Sequence, residues 1–385
     1  MTIDLRWMSG LIACTLLACQ PAEVDPPADV AGTDETEESE VVEREAGADE
    51  LARARPVPRA SVEASGAIRA AAEEWSWLDL PESRCTNNQS TGVGINVKPG
   101  AEDLMVYLVG GGACWNFATC AVGTASNIRF GYDQNDFEKD KIRDWAIFNR
   151  GEAQNPFRAA HQVIVPYCTA DVHAGTRVTT YTNLGVPLTM VHYGANNIVA
   201  LVQRLQATFP QLKRVQLVGT SAGGFGAQLN YPTFAGAFPD AEVSVLADSG
   251  QMIAPNGGLS EEWVETWGIS LPDDCVGCGS NFPAFVDYLA ETYPRGRWGL
   301  LASTRDLTLR TFFGYSFDVG AFESRTNDLL QTSYTPSARA SFLARRATRH
   351  GYLNRVIDLK KKVDLETFAW LNAFVAGDAP NVPPN

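Results

Sequence analysis

Residues 215–232 read VQLVGTSAGGFGAQLNYP, and the order of residue types in them sets the architecture. Val215, Leu217 and Val218 form a short apolar run of the kind that fills a buried strand. Ala222 to Ala227 are small residues suited to a helix packed close behind it. A strand running directly into a helix is the repeating unit of an α/β domain. Ser221 falls at the corner, with Gly219 and Gly223 two residues to either side. A sharp corner strains the backbone of its central residue, and a Cβ at either flanking position would collide across the bend.

The spacing G-x-S-x-G is that of the nucleophile elbow in α/β-hydrolases, where the serine hydroxyl stands exposed above a mostly parallel sheet with helices on both faces. Glycine and serine also make ordinary turns, so the reading depends on what else the chain supplies. An attacking serine needs backbone amides to hold the oxyanion, one from the residue after it and others from a loop that follows an earlier strand. DLMVYLVGGGACWNFATC (103–120) provides such a loop: Leu104 to Val109 read as a buried strand, and Gly110, Gly111 and Gly112 follow. Cys114, Trp115 and Cys120 come directly after them and would stiffen it. The expected donors are Ala222 and an amide of this glycine loop, with Trp115 as a pocket wall.

The serine also needs a base, and the chain holds four histidines: His161, His173, His192 and His350. In α/β-hydrolases the order along the chain is Ser, acid, His, which leaves only His350. It lies in RRATRHGYLNRV, read as a loop between two helices. The acid should follow a strand between Ser221 and His350. RWGLLASTRD (297–306) fits, with Trp298 to Ala302 as the strand and Asp306 beyond it. Asp248, in VSVLADSG, is the competing acid and reads as structural or wall-forming. Such a triad works by acyl transfer and needs no metal or organic cofactor.

Of the formal charge of −14, residues 20–50 carry −11, with twelve acids and one base, while residues 51–385 carry −3. A nearly neutral folded part gives no basic face for nucleic acid. Residues 20–59 are acidic, rich in Pro and Ala and without an aromatic residue, so they read as a disordered acidic linker. Residues 1–19 read as an export signal: Arg6 precedes an apolar stretch from Leu11 to Ala18 that is too short to span a bilayer. The run Leu16-Leu17-Ala18-Cys19 is similar to a lipobox, so Cys19 is the expected lipidated residue and membrane tether, with Cys14 as the alternative. The protein is then expected at the cell envelope or secreted, with residues 60–385 as one catalytic domain.

Six cysteines remain: Cys85, Cys114, Cys120, Cys168, Cys275 and Cys278. An even number in an oxidising compartment suggests three disulfides, although six allow fifteen connectivities. Cys275 with Cys278 and Cys114 with Cys120 are read as local loops, which leaves Cys85 with Cys168.

With these residues in place the chain resembles the pectin acetylesterase family, which includes the animal deacylase Notum. The likeness runs from about Cys85 to Asp378 and is carried by GGGACWNFATC (110–120), VPYCTADVHAG (165–175), YGANN (193–197), GTSAGGFGAQL (219–229), ADSG (247–250), STRD (303–306) and the His350 loop ahead of LETFAWLNAFVAGD. It is nearest to the bacterial branch. The resemblance implies roles for Ser221, Asp306 and His350 as the triad, and for Gly111, Gly112 and Ala222 as oxyanion donors. His173 and Asp171 fall in a motif of the family, and His173 is expected beside the substrate. The chain departs at Ala113, where plant and animal members usually have Trp, and lacks their cysteine-rich surround of the His350 loop. The expected activity is hydrolysis of acyl, first of all acetyl, esters of a polysaccharide or small alcohol, with no partner protein implied. A peptidase with the same triad and a surface carbohydrate-binding protein without turnover are the other classes. The presence of all three triad candidates speaks against the last.

Overall fold

The computed structural model describes residues 57–353 and 362–385. The export signal, Cys19, Cys14 and the linker up to residue 56 lie outside the described residues. The fold takes in Val57, which is buried, and the Ala60 amide donates to the Trp77 carbonyl. The chain thus joins the core three residues ahead of the boundary expected at 60, because Val57 has an apolar surface to cover.

Twelve strands are formed among the described residues: β1 (Ser61–Val62), β2 (Ile68–Arg69), β3 (Trp75–Leu80), β4 (Thr91–Asn96), β5 (Asp103–Leu108), β6 (His161–Val165), β7 (Arg177–Asn183), β8 (Val186–His192), β9 (Arg214–Thr220), β10 (Glu242–Asp248), β11 (Arg297–Ser303) and β12 (Ala340–Arg345). Eight of them make one sheet in the order β12-β11-β10-β9-β5-β6-β4-β3. Neighbours from β6 through β5 and β9 to β12 pair in parallel, while β4 runs antiparallel to both β6 and β3. Strands β1 and β2 pair with each other, as do β7 and β8.

The central strands are apolar because both their faces are covered. Leu104, Val106 and Leu108 of β5 join one core with Val215 and Leu217 of β9, while Met105 and Tyr107 join a second core with Val218. This two-residue alternation sends successive side chains to opposite faces. Helices such as Gly194–Thr208 and Lys362–Ala376 flank the sheet.

From β5 the chain passes to β6 on one side and later returns to β9 on the other. A crevice at the carboxyl ends of a parallel sheet forms where strand order reverses in this way. The Gly110–Gly112 loop follows β5 at that edge, and Ser221 follows β9. Strand β12 stands where the sequence suggests a helix ahead of the His350 loop: Ala340 to Arg345 pair in parallel with Trp298 to Ser303.

All three expected disulfides are formed: Cys85–Cys168, Cys114–Cys120 and Cys275–Cys278. Among the described residues no helix is long and apolar enough to cross a membrane.

Candidate active site

Ser221 follows β9 and stands at the N-cap of the helix Ala222–Leu229 with φ 58° and ψ −125°, a backbone region that L-residues avoid unless the surroundings enforce it. Its amide donates to the Asp248 carbonyl at 2.8 Å, which ties the corner to the neighbouring strand. The flanking glycines are steric necessities. A Cβ on Gly219 would lie 2.1 Å from the Gly223 carbonyl oxygen, and one on Gly223 would lie 1.9 Å from that of Leu108.

The glycine loop packs on this corner. A Cβ on Gly110 would meet the Thr220 oxygen at 2.4 Å and Ser221 Cβ at 3.0 Å, and Gly112 takes φ +74°. Among the described residues, the amides of Gly111, Gly112 and Ala222 donate to no protein acceptor. The loop is fixed from behind. The Cys114 amide donates to the Ala170 carbonyl at 3.0 Å, the Trp267 indole donates to the Cys114 carbonyl at 2.7 Å, and the Cys114–Cys120 bridge spans the turn.

Asp306 follows β11 and is fully buried. One carboxylate oxygen accepts the Leu309 amide at 2.9 Å and caps the helix Leu307–Phe312. The other lies 2.8 Å from Nδ1 of His350, whose side chain is one-fifth exposed (20%). This meeting follows from the sheet. Beyond the paired ends of β11 and β12, the Thr304 amide donates to Arg345, Arg305 to Ala347 and Leu307 to Thr348, at 2.9 to 3.1 Å. Glu323 clasps Arg305 and Arg346 across the two segments, each at 2.9 Å. Those two guanidinium hydrogen bonds hold its carboxylate down to about 2.

Ser221, Gly111, Gly112 and His350 line one open cleft of about 480 Å³. Among the described residues no hydrogen bond joins Ser221 Oγ to His350; such contacts are often long in free enzymes and tighten around substrate. A second, narrow cavity of about 40 Å³ also opens at Ser221 and Ala222, walled by Ala113, Phe225, Met252, Trp263, Phe312 and Phe313. The serine therefore stands between a narrow apolar slot and a broad cleft that includes Thr124, Ser126 and Thr308.

Two residues expected at the substrate are elsewhere. His173 is 3% exposed, and its Nε2–H donates to the Val109 carbonyl at 2.8 Å. Burial pushes its imidazole down to about 4. It is a neutral tie beneath the glycine loop rather than a cleft residue. Asp171 anchors that turn: it accepts the Thr169 hydroxyl and the amides of His173, Gly175 and Gly194. Desolvation nevertheless pushes its carboxyl up to about 6. Trp115 lies behind the slot, with its ring 5.4 Å from Trp263 and 6.2 Å from Phe312. The slot walls themselves carry no sequence signal, because Trp263 and Phe312 come from segments that only the fold brings together.

The sheet order and the serine corner define a protein of α/β-hydrolase-like fold. Comparison with known proteins narrows this further. Residues 91–265 match the pectinacetylesterase family model. Palmitoleoyl-protein carboxylesterase NOTUM of Schmidtea mediterranea is 29% identical over 131 residues, covering 33% of this chain and 23% of that protein. The Mus musculus protein of the same name is 26% identical over 204 residues, covering 51% and 39%. The crystal structure of the Wnt deacylase Notum from Drosophila at 1.9 Å aligns with a TM-score of 0.62 at 16% identity, over 86% of this chain and 95% of that one. Over residues 91–265 the chain is thus similar to the pectinacetylesterase family, and its fold is shared with the Notum structure. Its aligned segments span between about a quarter and two-fifths of the length of these two curated relatives.

Proposed function

We propose that the chain is a serine carboxylesterase that hydrolyses acyl esters, acetyl esters first among them, carried by a polysaccharide or small alcohol. The observation that supports it is the sharing of one cleft by strained Ser221, His350 backed by buried Asp306, and the unengaged amides of the glycine loop. His350 Nε2 takes the Ser221 proton as Oγ attacks the ester carbonyl carbon, and the amides of Gly111, Gly112 and Ala222 receive the oxyanion. Collapse breaks the bond to the alkoxy oxygen, which leaves with the proton held by His350. A water then gives its proton to His350 and adds to the acyl carbon; collapse breaks the bond to Ser221 Oγ, which takes the proton back from His350 as the acid is released. Asp306 holds the imidazole with its proton on Nδ1.

The narrow apolar slot suits the unbranched acyl group, and the broad cleft suits the alcohol. The curated relatives are named for palmitoleoyl esters, so a series of esters from acetyl to palmitoleoyl is the informative comparison. The test is acetate release from acetylated pectin, xylan and chitin-type polymers, with p-nitrophenyl acetate and peptide anilides alongside. Acetate release that disappears in Ser221→Ala supports the reading. Turnover of anilides but of no ester would replace it with a peptidase.

Three disulfides suit an oxidising compartment, and with them we propose export. A lipid tether at Cys19 would be read by mass analysis of the mature N-terminus.

A further inference from the structure

Asp248, the competing acid by sequence, makes no hydrogen bond to an imidazole among the described residues. It is fully buried at the end of β10, between the strand that carries the nucleophile and the strand that carries the acid. Its Oδ2 accepts the amides of Tyr352 and Leu353, both at 2.8 Å, and the Thr220 hydroxyl at 2.9 Å. The next residue, Ser249, accepts the Gly351 amide on its Oγ at 2.9 Å. The three amides that follow His350 therefore all end on two adjacent side chains of one strand end. The same Asp248 accepts the Ser221 amide on its main-chain carbonyl at 2.8 Å, and Thr220, which it also holds, immediately precedes Ser221.

We propose that Asp248 is a positioning residue that fixes the loop carrying His350 in register with Ser221. One residue touches the peptide of the nucleophile through its backbone and the loop of the base through its side chain. Loss of the side chain frees the base loop while leaving the elbow's own backbone bond in place. Burying an acid costs stability unless donors compensate it, and here burial raises the carboxyl while the three donors to Oδ2 oppose that shift. The geometric consequence is large, since a base displaced by about 1 Å loses on the order of 10²-fold in rate. The inference rests on the esterase reading above.

The experiment measures kcat and KM for p-nitrophenyl acetate in the full chain and in Asp248→Ala, Asp248→Asn, Ser249→Ala, Asp306→Asn and Ser221→Ala, with a thermal melt to establish the folded fraction of each. Asp248→Ala should lower kcat by about 10²-fold with KM within about threefold. Asp248→Asn keeps a carbonyl oxygen for the same donors and should recover to within about tenfold of the parent, far above Asp306→Asn. If Asp248→Ala does not fold, Ser249→Ala carries the test, and its kcat should fall with KM unchanged. A folded Asp248→Ala with parental kcat, or an unaffected Ser249→Ala in its place, overturns the proposal. So does an Asp248→Asn as inactive as Asp306→Asn, which would make Asp248 an acid in its own right. A Ser221→Ala enzyme that still turns over would instead overturn the esterase reading beneath it.

Discussion

His350 Nδ1 and Asp306 Oδ2 stand 2.8 Å apart, joined by the continuation of the β11–β12 pairing into two loops. The contact leaves Nε2 as the ring nitrogen available to take a proton. Asp306→Asn would present an amide and allow the opposite tautomer, so kcat should fall by about 10⁴-fold with the fold retained. Steady-state kinetics beside a thermal melt decide the matter. A loss of less than tenfold would remove Asp306 from the mechanism.

Gly223 lies against Leu108 so closely that a Cβ would stand 1.9 Å from its carbonyl oxygen. Gly223→Ala must push the end of β5 away from the first turn of the helix Ala222–Leu229, and urea unfolding should show a loss of about 3 kcal/mol or no folded protein. At Gly236, on the exposed side of the helix Tyr231–Ala237, an added Cβ would have nothing within 4 Å of it. Gly236→Ala should leave stability unchanged or raise it by up to about 1 kcal/mol. Equal effects at the two positions would contradict the steric account of the elbow.

Acid should destabilise the fold. Burial lowers His173 and His192 from 6.5 to about 4, so between those pH values the unfolded chain binds protons that the fold refuses, and stability falls as pH falls. His161, also lowered by burial, adds to them. Asp171 acts in the opposite sense, because its carboxyl is raised from 3.8 to about 6 and the fold binds that proton more readily. Buried Asp248 is raised too and acts with it. The two large downward shifts of His173 and His192 outweigh the one large upward shift of Asp171, and Glu323, held down by its two arginines, joins the imidazoles at the acid end of the range. Tm should drop from pH 6.5 to pH 4, less steeply in His192→Gln. A Tm that is level or rises over that range would show that these imidazoles are not held neutral.

The slot gives a specificity prediction. Ala113 is buried in its wall, and Ala113→Trp would fill it. The kcat/KM ratio of a butyryl to an acetyl ester should fall by at least about tenfold, as expected when a pocket loses room for methylene groups. An unchanged ratio would place the acyl group outside the slot.

Much of this site is legible in the sequence because its signals are local. Ser221 between Gly219 and Gly223, and the three glycines after β5, state in a few residues what a sharp strand-to-helix corner and a bare amide loop require. Chain order then leads from Ser221 to Asp306 and His350, which the structure brings together. The misreadings are non-local. Ala340 to Arg345 contain good helix formers, yet pairing with β11 outweighs their propensity. His173 stands next to the site in sequence-motif terms, but its ring turns inward to Val109. The contacts of Asp248 leave no trace in the sequence, since its amide donors lie more than a hundred residues further on.

The most direct measurement of whether Ser221 is the nucleophile is kcat for p-nitrophenyl acetate in Ser221→Ala against the parent at matched Tm. The expected result is a loss of at least about 10³-fold, because only binding and oxyanion stabilisation would remain. Retention of more than about a tenth of the parental rate would show that Ser221 is a strained corner and not the nucleophile.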